Sequence, residues 1–309
     1  MVSSLRRTAW LASVLVIASV SAQTPPWAPA FRYGNDYTFE RMSASRDVND
    51  EFDRGHITLV ANVYRPVKDD RRRVVLFSHR STGGWNVSPQ EMNGAPPTSV
   101  VQFFISRGFT VVAPMRRGVG MSTGTYREEC PLSAGQCTPS ENTTLSISGL
   151  GEAIQDTNAV IDQIILGKLL PQNSKILLAG HSRGGFLSLV MAGRRSDLAT
   201  GVLNFVGGWI GISDVYAVSE NAAKMQFQVE QLAAAGAKAR VPTLWIYAAR
   251  DVFYSETVTR QFFKAFTNAG GRGDYVFINE HALPNGHTVA TQLPLWGTRA
   301  DQFLAELGQ

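Results

Sequence analysis

Three residues of this 309-residue chain, Ser182, Asp251 and His287, have the types and the order that nucleophilic catalysis requires. A serine hydroxyl is a weak nucleophile until a base takes its proton. An imidazole does this best when a carboxylate fixes its tautomer and orientation. Ser182 lies in Gly180-His181-Ser182-Arg183-Gly184. The string alone is weak evidence, because Gly and Ser are both frequent residues. Its setting is informative: an apolar run over 175–179 predicts a buried strand before it, and an amphipathic run over 186–195 predicts a helix after it. A serine on such a strand-to-helix turn sits on a strained backbone with its hydroxyl exposed, and glycines on either side avoid clashes in the turn. Asp251 follows the apolar run Val241-Pro242-Thr243-Leu244-Trp245-Ile246-Tyr247-Ala248, and His287 sits in Pro284-Asn285-Gly286-His287-Thr288.

The competing residues are few. His281 is the rival base, but the Gly-His-Thr context favours His287. Asp274 precedes the last predicted strand and so falls at the wrong edge of a sheet, and Asp214 lies on a loop leading to a helix. An aspartate at a strand end can also simply cap the next helix, which is the plain alternative for Asp251. His56 reads as a structural residue of an early strand.

The elements that must hold these residues alternate. Runs over 37–42 and 56–64 predict a hairpin. Strands are then predicted at 74–78, 109–113, 175–179, 202–206, 243–248 and 275–278. Helices are predicted at 97–107, 151–166, 216–235, 256–269 and 293–307. Strands apolar on both faces and separated by helices predict an α/β fold with a parallel sheet covered on both sides. With no internal repeat and no break in composition, 23–309 reads as a single domain. The stretch 120–148 reads as one long loop, and 216–235 as either a crossover helix or a small cap.

Arg6 and Arg7 precede an apolar stretch over 9–20 and small residues ending at Ala22, the pattern of a secretory signal peptide over 1–22. The stretch is short for a membrane span, so no stable membrane insertion is expected after cleavage. The expected location is periplasmic or secreted. Removing Arg6 and Arg7 with the peptide lowers the formal net charge from +4 to +2, and no basic stripe interleaved with aromatics suggests nucleic acid. Cys130 and Cys137 are the only cysteines; in an exported chain they predict a disulfide across the 120–148 loop.

With these motifs the chain resembles the α/β-hydrolase fold, and most of all the dienelactone-hydrolase-like serine esterases and their peptidase relatives, over nearly the whole mature sequence. The resemblance implies a mostly parallel sheet of about eight strands. It carries the nucleophile to Ser182, the acid to Asp251 and the base to His287. It also leads His181 to be read as packing against the sheet. Met115-Arg116-Arg117-Gly118-Val119-Gly120-Met121-Ser122 resembles the Arg-Gly-x-Gly-x-Ser turn common after the fourth strand of that fold. True dienelactone hydrolases use cysteine where this chain has Ser182, so dienelactone is not the expected substrate.

Acylation also needs donors for the developing oxyanion. The backbone N–H of Arg183 is one candidate. The other is Arg80, with Ser81 next, in the loop Ser78-His79-Arg80-Ser81-Thr82-Gly83-Gly84-Trp85, where His79 is expected to hold the loop. Arg183 at a helix start is unfavourable for the helix dipole. Its side chain is expected in an internal salt bridge, to an acid such as Glu152 or Asp156, ahead of a role with a substrate carboxylate. Trp85, Tyr126, Trp209 and Tyr254 are candidate pocket residues. The expectation is an exported serine hydrolase acting on a small-molecule ester, with no metal or organic cofactor. A peptidase or amidase of the prolyl-oligopeptidase-like group is one alternative, although those usually carry a large additional domain. A non-catalytic binding protein of the same fold is the other.

Overall fold

Runs such as Val74-Val75-Leu76-Phe77 have no polar face, so they demand cover on both sides of a sheet. In the computed structural model, which describes residues 32–81, 88–130, 137–171, 173–212, 218–279 and 283–309, they have it. The strands are β1 (Tyr37–Asn49), β2 (Arg54–Pro66), β3 (Arg73–Ser78), β4 (Phe109–Pro114), β5 (Ile176–His181), β6 (Ala199–Phe205), β7 (Pro242–Ala248) and β8 (Arg272–Ile278). They form one eight-stranded sheet in the order β1-β2-β4-β3-β5-β6-β7-β8. The β1–β2 and β2–β4 pairs are antiparallel and every other neighbouring pair is parallel. The strand order, direction and helical cover are those of the α/β-hydrolase fold expected above.

The helices are α1 (Thr98–Ile105), α2 (Pro139–Leu166), α3 (Arg183–Arg194), α4 (Val218–Lys238), α5 (Glu256–Asn268) and α6 (Leu293–Glu306). On one side, Trp296 of α6 packs at a ring distance of 4.9 Å from both Phe103 of α1 and Phe205 of β6. The segment expected at 216–235 is α4, which connects the parallel neighbours β6 and β7 and packs on α3 and α5. It is a crossover helix.

Two expectations need correction. The hairpin strands are longer than 37–42 and 56–64: β1 and β2 pair from Tyr37 opposite Pro66 to Asn49 opposite Arg54. The long loop does not reach 148, because α2 begins at Pro139 rather than at 151. Its start is a capping box: the Thr138 hydroxyl accepts the N–H of Glu141 at 3.2 Å, and the Glu141 carboxylate accepts the N–H of Thr138 at 2.8 Å. The proline at the first helical position has no N–H to leave unsatisfied. The Cys130–Cys137 disulfide spans the connection just ahead of this cap. Among the described residues no helix is long and apolar enough to cross a membrane, and no cluster of His, Cys, Asp or Glu could hold a metal ion.

Candidate active site

The carboxyl ends of β3, β5, β6 and β7 lie along one edge of the sheet, where open α/β sheets place their ligands. Ser182 sits there between β5 and α3 with φ 57° and ψ −121°, a conformation that L-residues rarely adopt. The surroundings hold it. Its N–H donates to the carbonyl of Phe205 at 2.9 Å, and its carbonyl accepts from Phe186 and Gly208 at 3.1 and 3.3 Å. A Cβ on Gly180 would strike the backbone of Gly184, and one on Gly184 would strike the carbonyls of Ser78 and His79. The flanking glycines therefore bring β3, β5 and α3 within backbone contact.

Ser182, His287 and Asp251 form one hydrogen-bonded line. The Ser182 hydroxyl donates to Nε2 of His287 at 2.9 Å, and Nδ1–H of His287 donates to Oδ2 of Asp251, also at 2.9 Å. The other Asp251 oxygen accepts the N–H groups of Phe253 and Tyr254 at 2.8 and 3.2 Å. The helix that follows is capped by Ser255 instead, so Asp251 is not its cap. The His287 backbone N–H donates to the Asn285 side chain at 2.9 Å. A Cβ on Gly286 would collide with the carbonyls of Ala248 and Ala249, which accounts for the glycine beside the histidine.

His181 also faces this site. Its Nε2–H donates to the carbonyl of His287 at 2.7 Å, so a residue next to the serine fixes the backbone of the histidine. Burial, reinforced by the neighbouring His287, pushes the His181 pKa down to about 3, so it donates as a neutral ring. Among the rival residues, Asp274 lies within β8 and pairs with Arg299. His56 is an exposed residue of β2 paired with Asp47. His281 and Asp214 lie outside the described residues.

The candidate oxyanion loop is clamped. Nδ1–H of His79 donates to the carbonyl of Arg80 at 2.6 Å, while Nε2 accepts the N–H of Arg116 at 3.4 Å. Burial holds the His79 pKa well below its ordinary value, with the Arg116 charge adding to the effect, so this ring too is neutral. The Arg183 side chain is internally paired as expected, but with other acids. It lies 3.1 Å from Glu129 and 3.7 Å from Glu128, and its Nε donates to the carbonyl of Trp209 at 2.8 Å. Glu152 and Asp156 instead serve Arg46 and Arg117.

Of the four candidate pocket residues, Trp85 lies outside the described residues. Trp209 is fully buried, with its indole N–H on the carbonyl of Ser146 at 2.5 Å, and Tyr126 is buried with its hydroxyl on Glu129 at 2.9 Å. Both side chains are held by internal hydrogen bonds. Tyr254 is buried with its ring 6.0 Å from that of His287, and it occupies the space a side chain at Gly208 would need. The sequence reading missed Phe253. Its ring stands edge-on to His287 at 4.6 Å and is 43% exposed, so it offers an apolar surface beside the base. Its place two residues after Asp251 was the available signal.

No protein-family model matches the sequence, and no curated protein matches it by sequence. Solved structures do resemble it. An esterase of Pyrococcus furiosus superposes with a TM-score of 0.57 at 14% identity, over 87% of this chain and 91% of the esterase. The acylaminoacyl peptidase of Pyrococcus horikoshii gives 0.57 at 14% identity, over 89% of this chain but only 42% of the peptidase. A Klebsiella pneumoniae protein described as a dienelactone hydrolase gives 0.52 at 14% identity, over 88% of this chain and 99% of that one. At such identities the likeness is one of fold. The chain has the α/β-hydrolase fold, as the motifs around Ser182 led us to expect.

Proposed function

We propose that this α/β-hydrolase-fold chain is a serine hydrolase that cleaves a carboxylic ester of a small molecule. The observation that carries the reading is the line from the Ser182 hydroxyl through His287 to Asp251, with both hydrogen bonds at 2.9 Å. His287 takes the Ser182 proton as Oγ attacks the ester carbonyl. The carboxylate of Asp251 stabilises the imidazolium that forms, and the same proton then goes to the departing alcohol. Water, deprotonated by His287, hydrolyses the acyl-enzyme and returns Ser182 to its starting state. The N–H groups of Arg183 and of Arg80 or Ser81 are the donors we assign to the oxyanion. The N-terminal pattern ending at Ala22 and the Cys130–Cys137 bond support export, with the mature chain beginning at Gln23.

A fluorophosphonate probe with mass mapping tests the chemistry. We expect labelling of Ser182 in the wild type and none in Ser182→Ala, with kcat on p-nitrophenyl esters falling by about 10⁴- to 10⁶-fold in the variant. A wild type that takes up no label sinks the hydrolase reading. Aminoacyl anilides run beside the esters separate peptidase from esterase, and N-terminal sequencing of the exported protein checks the cleavage site.

A further inference from the structure

Outside the Ser–His–Asp line, Arg116, in the turn after β4, is a heavily bonded buried side chain that reaches the oxyanion loop. It is 2% exposed and its guanidinium makes two kinds of contact. Toward the oxyanion loop, Nη1 donates to the carbonyl of His79 at 2.9 Å and Nη2 to the carbonyl of Arg80 at 3.3 Å. On the other side it forms a two-pronged ion pair with Glu128, with Nη2 to Oε2 at 2.9 Å and Nε to Oε1 as the second prong. Glu128 is held in turn. Its carbonyl accepts the Ser146 hydroxyl of α2 at 2.6 Å, and its carboxylate faces Arg183.

We infer that Arg116, braced by Glu128, is a positioning residue that aims the oxyanion-loop amides at the developing charge. The inference rests on the hydrolase reading above and deepens it. Peptide geometry sets the direction of these amides. All peptide bonds described are trans, so the carbonyl and N–H of one peptide unit point in opposite directions in one plane. The His79 carbonyl shares its plane with the Arg80 N–H, and the Arg80 carbonyl shares its plane with the Ser81 N–H. Arg116 grips both carbonyls, and His79 grips the second as well. Whichever of the two amides serves as donor, its direction is set by the same guanidinium. Lysine cannot substitute, because a single ammonium lacks the planar fork that reaches a carboxylate and two carbonyls together. The brace matters because an oxyanion donor works only when it is already oriented as the charge forms.

The test compares wild type, Arg116→Lys, and the double variant Arg116→Met/Glu128→Leu, which removes both charges so that neither is stranded. Circular dichroism melts establish that each is folded. For each we would measure kcat and KM on a p-nitrophenyl ester, and the affinity for a phenylboronic acid. Boronates add to the serine as a tetrahedral adduct that places an oxygen in the oxyanion hole. Loss of a single oxyanion donor costs about 10²- to 10³-fold in kcat. A misaimed donor should therefore cost about 10- to 100-fold, with KM changed less than about threefold and boronate affinity falling in parallel with kcat. A folded variant with wild-type kcat overturns the inference, and so does a loss of kcat that leaves boronate affinity intact. A wild type that neither labels nor turns over ester sinks the hydrolase reading and this inference together. An active wild type with unchanged variants sinks this inference alone.

Discussion

Arg116 and Arg117 are adjacent in sequence and equally buried, yet they serve opposite kinds of surroundings. Arg116 joins Glu128, Arg183 and Glu129 in a cluster of two cations and two acids, all nearly closed to water. Arg117 reaches the β1–β2 turn. There it meets Asp50, Asp53 and Glu152, and the wider cluster includes Arg46, Arg127, Glu51 and Asp156. In this second cluster three cations face five acids, a surplus tolerable only because solvent reaches most of the carboxylates. The one acid that solvent does not reach, Asp156, has its pKa pushed up to about 6 by burial. A buried cluster must balance its charge and so holds its geometry; a wet one need not. Only the balanced cluster touches the candidate site.

That contrast can be broken by exchanging the two arginines' fates. Arg116→Met alone takes away the two-pronged partner of the buried Glu128, leaving it only the looser Arg183 contact, and we expect a stability loss of about 3–5 kcal/mol, read by urea titration, together with a lower kcat. Arg117→Met leaves acids that water can solvate, so we expect a loss of only about 1–2 kcal/mol, with kcat per folded molecule within about twofold of wild type. Equal effects on kcat would erase the distinction between the clusters.

Acid gives the next largest effect, and its sign follows from two buried neutral rings, His79 against Arg116 and His181 against His287. His79 and His181 have pKa values below the ordinary 6.5, the latter at about 3, so the unfolded chain takes up protons that the folded one refuses. Their contribution to stability is complete above about pH 6.5 and is lost as the pH falls, for His181 down to about 3. Asp156 runs the other way between about pH 4 and 6, by less. Melting temperature should therefore drop steadily across that range, and His181→Gln should lessen the slope. A flat profile would contradict the neutral, buried assignment of both rings. Reducing Cys130–Cys137 is expected to cost about as much as losing Arg117. Closing so short a loop contributes about 2 kcal/mol, and Glu128 keeps its other anchors, so kcat should fall no more than a few-fold.

The order Ser182, Asp251, His287 could be read ahead because Ser182 and Asp251 closely follow strands that periodicity locates well, and a glycine-marked turn after the last strand carries His287. Side-chain direction was not legible. Trp209 and Tyr126 follow strands at the right edge yet turn inward, whereas the unnoticed Phe253 turns out beside His287. The partners of Arg183 were misassigned for a related reason. Glu128 and Glu129 lie in irregular chain, where no period predicts what a charge will meet, while Glu152 and Asp156 on a helix looked available. The early start of α2 is different: Thr138-Pro139-Ser140-Glu141 announces it, but the Gly- and Ser-rich composition around it suggested loop.

The bond from His181 to the carbonyl of His287 has a consequence for how this chain tolerates change. Besides the Asp251 carboxylate and the Asn285 side chain, the base is held by the residue beside the nucleophile, so serine and histidine are tied by a bond that bypasses the chain between them. For engineering, His181 is the residue to leave alone.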